Sequence, residues 1–181
     1  MKPGNLSESF YEEARQRLQR RIGRELSAAS SVLDLGCGSC GLGQFLRDTY
    51  GQRVTGVDIS DGAFPEHYGT SDGQTMLKCI KADAAHLDFV GDDSVDAVVS
   101  VWALHEMEDA EGALREARRV LRAGGRILIV DFPRGSLAQR LWSEEYYTTS
   151  EIDRMLTRAG FAEIKVKQVE HGQIIWGSGH A

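Results

Sequence analysis

Three glycines in Asp34-Leu35-Gly36-Cys37-Gly38-Ser39-Cys40-Gly41 keep the spacing G-x-G-x-x-G. Such a loop turns tightly and brings backbone N–H groups close to a ligand. Asp58 follows 20 residues after Gly38, at the end of the next apolar run. A carboxylate there can accept hydrogen bonds from ribose hydroxyls. The pattern points to a ligand that contains a nucleoside.

Asp34 separates two classes of such ligand. An anion two residues before Gly36 is badly placed beside a pyrophosphate. It is well placed beside a cation. S-adenosyl-L-methionine carries an ammonium and a sulfonium and no phosphate, so the residues favour it over a dinucleotide.

His105, in Trp102-Ala103-Leu104-His105-Glu106, is the best candidate for a general base. Its ordinary titration range lies near neutrality. Glu106 is a weaker alternative. Glu106, Glu108 and Asp109 form an acidic run, which reads as a solvated helix start rather than a Mg²⁺ site. The other four histidines show no ligand spacing, so no metal is expected. Cys37 and Cys40 form a C-x-x-C with no second pair, which speaks against zinc or redox use. Together with Cys79, they are expected to be reduced thiols.

These residues need a frame. Ser31–Gly36, Arg53–Asp58, Leu77–Ala82, Val95–Val101 and Arg126–Asp131 read as strands. Their near-continuous Val, Ile and Leu content suits parallel strands covered on both faces. Helices are expected over Ser7–Ala28, with a break near Gly23, over Asp109–Arg122, ending on a glycine C-cap, and over Ser150–Ala159, capped by Ser150. Phe161–Glu170 and Gln173–Trp176, joined at His171-Gly172, read as an antiparallel pair. The expected fold is α/β: a Rossmann-like, doubly wound, mostly parallel seven-stranded sheet with an antiparallel C-terminal strand.

With these motifs in order, the chain resembles the class I S-adenosylmethionine-dependent methyltransferases. The resemblance covers about residues 6–177 and rests on Val32–Gly38, Gly56–Ser60, Ala82–Ala84, Val95–Ser100 and Leu121–Arg126. The nearest style is the small-molecule branch that includes ubiquinone and menaquinone methyltransferases. The resemblance implies that Asp58 accepts from both ribose hydroxyls and that Ile59 packs on the adenine face. It implies that Asp83 accepts from the adenine amino group, with the Ala84 amide near the ring. Gly36 and Gly38 would admit the methionine part, and Ser100 or Val101 would offer a strand-end carbonyl to the ammonium. The N-terminal helix (1–30) and the insertion 132–149 would cap the substrate site within one domain, 1–181. Tyr11, Trp102, Trp142, Tyr146 and Tyr147, with Arg134 and Arg140 nearby, would form an aromatic, partly cationic wall for a planar or anionic small molecule.

Composition bounds the partners. The net charge of −6 argues against general nucleic-acid binding. Residues 1–27 hold six Lys/Arg against four Glu, a local +2, read as a solvated helix face. No segment has the length and apolarity of a membrane span. A cytoplasmic enzyme acting on a small molecule is the reading. The alternatives are a methyltransferase acting on protein or RNA, and an NAD-binding Rossmann oxidoreductase. An open cap would also suit a homodimer in which the neighbour supplies a wall.

Overall fold

The computed structural model describes residues 9–66, 70–71 and 74–181. Residues 1–8, the first part of the expected cap segment, and His67 lie outside the described residues. Seven strands form one sheet in the order β5 (Leu77–Lys81), β2 (Arg53–Asp58), β1 (Ser31–Leu35), β6 (Val95–Val101), β7 (Leu121–Asp131), β9 (Ile174–His180) and β8 (Ala162–Val169). The first five run parallel, and β9 is antiparallel to both of its neighbours. The chain winds outward from β1 through β2 to β5, then returns to the other side of β1 as β6. That reversal leaves a crevice at the strand C-termini, where open α/β sheets bind ligands. A short hairpin, β3 (Thr70–Ser71) with β4 (Gln74–Thr75), stands apart from this sheet.

The alternation of the strands divides the core in two. Val32, Ala97, Val99, Leu128 and Val130 join one buried cluster. Leu33, Val98, Ile127 and Ile129, one residue away in sequence, join the other. The period of two sends neighbours to opposite faces. Helices α1 (Ser9–Glu25) and α2 (Gly41–Tyr50) contribute to the first cluster. Helices α3 (Ala110–Val120) and α5 (Thr149–Arg158) contribute to the second. In α1, Ala14, Leu18 and Ile22 are almost wholly buried. A full burial of a Leu or Ile side chain stabilises by about 1.5–3 kcal/mol.

Several boundaries differ from expectation for local reasons. Helix α1 runs unbroken through Gly23. The glycine is there for packing: a Cβ would lie 2.9 Å from Phe45 Cε1 and against the Tyr50 ring. Helix α3 passes straight into β7 at Leu121, whose backbone is extended, so Gly124 is no C-cap. Its left-handed φ of 76° falls inside the strand instead. The N-cap of α5 is Thr148, not Ser150. Thr148 Oγ1 accepts from the Glu151 N–H, and Glu151 accepts from the Thr148 N–H, a reciprocal capping box. The last strand extends to His180 because it pairs with β7 along Arg126–Asp131. The insertion holds a short helix, α4 (Leu137–Trp142), capped by Ser136.

Candidate active site

The glycine loop leaves β1 at the crevice. Gly36 takes φ 72° and Gly38 φ 49°, both in the left-handed region. At Gly36 any side chain would also strike the Ala103 Cβ, so loop and strand end approach as only glycine allows. Around Gly38 the space is open, with nothing within 4 Å of an added Cβ. The loop is held from below. Gly36 and Cys37 N–H groups donate to the Val57 carbonyl at 2.8 and 3.0 Å, and the Gly38 N–H donates to Asp58 Oδ2 at 2.8 Å. Asp58 Oδ1 accepts from the Ser60 N–H, so this carboxylate also fixes the turn after β2.

A cavity of about 420 Å³ opens at the loop, lined by Asp34, Gly36, Gly38, Val101, Trp102 and Arg15 among others. Asp34 is 2% exposed. Burial, then the Asp58 charge, raise its pKa to about 7. A buried carboxylate is costly unless a cation pairs with it. An ammonium entering this cavity would relieve that cost. The open cradle at Gly38 and the buried anion therefore fit the methionine end of S-adenosylmethionine.

A second cavity of about 330 Å³ shares Arg15, Trp102 and Glu106 with the first. His105, Tyr11, Phe132, Trp142 and Glu144 complete most of its wall. His105 sits on a short 3-10 turn, Leu104–Glu106, just past β6. Its ring is 3% exposed, and Nδ1 lies 2.7 Å from Asp131 Oδ1. Asp131 ends β7 beside β6 and also accepts from the His105 and Phe132 N–H groups. Nδ1–H is thereby directed at Asp131, and Nε2 is turned toward Glu144 at 3.3 Å. Burial alone would lower the imidazole pKa. The Asp131 bond and charge, then Glu106 and Glu144, outweigh it and raise the value. Aromatic rings surround this pair: Trp102 stacks on Phe132 at 5.2 Å, and Phe132 meets Tyr11 at 5.1 Å and Trp142 at 5.3 Å.

The other expected residues divide. Ile59 stands 71% exposed just past the C-terminal end of β2, an isolated apolar face at the crevice. Asp58, Ile59, Asp83 and Ala84 line neither cavity. Asp83 is engaged locally, accepting from the Ala85 N–H and lying 3.3 Å from the His86 ring. Ser100 is buried, with an Oγ that has no partner, and Val101 reaches the first cavity. Tyr146 is buried behind His105, rings 4.5 Å apart, and donates its hydroxyl to Glu144. Tyr147 packs against the second core cluster and is not part of the wall. Among the described residues, the expected cationic wall does not form at this cavity. Arg134 is tied to the Tyr146 carbonyl and Glu151, and Arg140 is not in the lining. The wall carries Glu12, Glu106 and Glu144 against Arg15.

Two residues of the candidate site went unread in the sequence. Asp131 gave a signal: an acid closing the apolar run Arg126–Asp131 must find a partner when buried. Glu144 gave none, since its place depends on how the insertion folds. The three cysteines gather beneath the loop. Cys79 faces Gly56 in the β2–β5 register, and the missing side chain at Gly56 makes room. The Cys40 and Cys79 sulfurs meet there, and the Cys37 sulfur lies 3.4 Å from that of Cys40. Burial, then Asp34 and Asp58, push the Cys37 pKa up to about 12.

Comparison with known proteins fits this geometry. The family described as "Methyltransferase domain" matches residues 33–129, more than half of the chain. An O-methyltransferase of Aspergillus sclerotiorum is 32% identical over 130 residues, covering 69% of this chain and 49% of its own. A sarcosine/dimethylglycine N-methyltransferase of Halorhodospira halochloris is 30% identical over 177 residues, covering 91% and 63%. The chain thus spans about half to two thirds of these relatives. A solved complex of the Haloferax volcanii Trm112 methyltransferase activator with a methyltransferase superposes with TM-score 0.75 at 20% identity, over 94% of this chain and 92% of that one. That likeness concerns the fold. Among the described residues no helix is long and apolar enough to cross a membrane.

Proposed function

Because the chain belongs to the class I S-adenosylmethionine-dependent methyltransferases, we propose that it methylates a small molecule held in the His105 cavity. The observation that carries this reading is the junction of two cavities. One is built on the glycine loop and buried Asp34, the other on a buried His–Asp pair in an aromatic shell, and they share a wall.

S-adenosylmethionine supplies, when bound, a methyl carbon on a positively charged sulfur. The chain's own residues would do the rest. Asp34 would hold the ammonium, with the Val101 or Ser100 carbonyl near it. Asp58 would take the ribose hydroxyls, Ile59 would cover the adenine face, and Asp83 with Ala84 would meet its edge. Trp102, Tyr11 and Trp142 would orient the acceptor and keep water out. His105 Nε2 would take the acceptor's proton, and Asp131 would stabilise the imidazolium that results.

The small size of the second cavity supports a small acceptor over a protein or RNA. The relatives are named as O- and N-methyltransferases, so the acceptor atom follows from the site rather than the family. The test is transfer of label from methyl-labelled S-adenosylmethionine to a library of small phenols, acids and amines, beside bulk RNA and protein. Label in small molecules alone supports the reading. Label only in a macromolecule overturns it.

A further inference from the structure

The second cavity faces its ligand with acceptors. His105 donates Nδ1–H to Asp131, so when the ring is neutral Nε2 presents a lone pair. Glu144 Oε2 faces that lone pair at 3.3 Å, and Glu106 Oε1 lies 3.8 Å from Nε2. Glu144 Oε2 also accepts from the Tyr146 hydroxyl at 2.9 Å, but a neutral His105 offers no hydrogen to either carboxylate. Either a proton on His105 or a donor-rich ligand must fill this gap.

The charges of the wall point the same way. Glu12, Glu106 and Glu144 face the cavity, and Asp131 lies behind His105. Among the described residues, Arg15 is the one opposing cation of the lining. It is already engaged, 3.7 Å from Glu12 and 5.3 Å from the Trp102 ring centre. Around the acceptors stand four aromatic rings, Tyr11, Trp102, Phe132 and Trp142. Ring faces attract organic cations and give a hydrated metal ion nothing to replace its water.

We propose that the acceptor substrate is an amine that arrives as an organic ammonium ion, its apolar body among the four rings and its N–H groups between His105 and Glu144. This rests on the reading of the chain as a small-molecule methyltransferase. One N–H bond of the ammonium breaks, its electron pair stays on nitrogen, and the proton bonds to His105 Nε2. Asp131 neutralises the imidazolium, and the amine is left with the lone pair a nucleophile needs. The ammonium competes with a proton for the same place. Binding therefore strengthens as pH rises through the raised imidazole pKa, with Asp131, Glu106 and Glu144 as the charges facing the ring and Tyr146 as the other titratable group packed on it.

The test uses the chain with S-adenosylhomocysteine bound, titrated by calorimetry at pH 8.5. The probes are phenethylamine, benzyltrimethylammonium, 2-phenylethanol and 3-phenylpropionate. Phenethylamine should bind at least about tenfold more tightly than the alcohol or the acid, and more tightly than benzyltrimethylammonium, which has no N–H group for His105 and Glu144. Glu144→Gln, which lines the second cavity alone, should reduce that preference about threefold or more, without changing the affinity for S-adenosylhomocysteine. Equal or tighter binding of the alcohol or the acid overturns the proposal and leaves the methyltransferase reading standing. So does binding of none of the four, or displacement of the cations by Mn²⁺ at micromolar concentration, which would make the cluster a metal site. Failure of S-adenosylhomocysteine itself to bind removes the underlying reading, and this inference with it.

Discussion

His105 and Asp34 carry opposite electrostatic problems. His105 is a buried ring whose cationic form is stabilised by three carboxylates. If it acts as the base, Asp131→Asn should keep the ring in place and lower its pKa. The acid limb of the pH–rate profile should then move to lower pH. Turnover should fall by about 10²–10⁴-fold when the base itself is removed in His105→Gln. A role in packing alone would lower thermal stability and leave the pH profile of the remaining activity unmoved.

Asp34 is a buried acid whose anionic form is penalised, first by burial and then by Asp58. Its folded pKa of about 7 lies above the unfolded value of about 4. Between these the folded chain keeps a proton that the unfolded chain has lost. Stability of the ligand-free protein from this source is therefore full below about pH 4 and falls as pH rises to about 7. Asp34→Asn should remove that slope and raise the melting temperature at pH 8. The same variant should weaken S-adenosylhomocysteine binding, because the ammonium loses its anion. In the wild type, affinity should fall as pH drops below 7, with proton release on binding at pH 6.5. Calorimetry in two buffers of different ionisation enthalpy measures that release. A melting curve for Asp34→Asn that keeps the wild-type pH slope would contradict the assignment.

At the scale of elements, the loop and the caps bear the load. Gly36 combines a left-handed φ with contact against Ala103, so Gly36→Ala should disturb the loop and cofactor binding together. Thr148→Ala should cost about 1 kcal/mol through loss of the α5 cap, with no change in cofactor affinity. Chemical denaturation read beside binding separates the two. The sequence made the sheet legible because parallel strands are apolar runs, and the glycine loop because few other residues permit its turn. It misplaced helix ends. Thr148 and Ser150 are both plausible caps, and the reciprocal bond to Glu151 decides between them. It placed the break at Gly23 on propensity, where the Phe45 and Tyr50 rings require a glycine inside a continuous helix. The insertion was least legible. Whether Tyr146, Tyr147, Glu144 or Arg134 meets the cavity depends on a short helix and its tertiary contacts, which no period in the sequence encodes.

For the whole molecule, α1 closes the first cavity from above through Arg15, Leu18, Gln19 and Ile22. The arginines of this helix, read as a solvated face, are partly spent on the fold. Arg17 pairs with Glu170 at 2.8 Å, and Arg21 lies 3.8 Å from the centre of the Trp176 ring. The Tyr11 hydroxyl accepts from the Ala138 N–H and donates to Gln173, so α1, the insertion and the last hairpin are locked together. Leu18→Ala should cost about 2–5 kcal/mol and loosen the roof of the cavity as well as the core. On this reading the glycine loop, Asp34 and Asp58 together hold S-adenosylmethionine. Calorimetric titration of S-adenosylhomocysteine and of NAD into the wild type and Asp58→Ala tests it most directly. The prediction is binding of S-adenosylhomocysteine alone, weakened about tenfold or more in the variant, since each hydrogen bond to the charged carboxylate contributes about 1.5–3 kcal/mol. Binding of NAD without S-adenosylhomocysteine, or an unchanged affinity in Asp58→Ala, would contradict it.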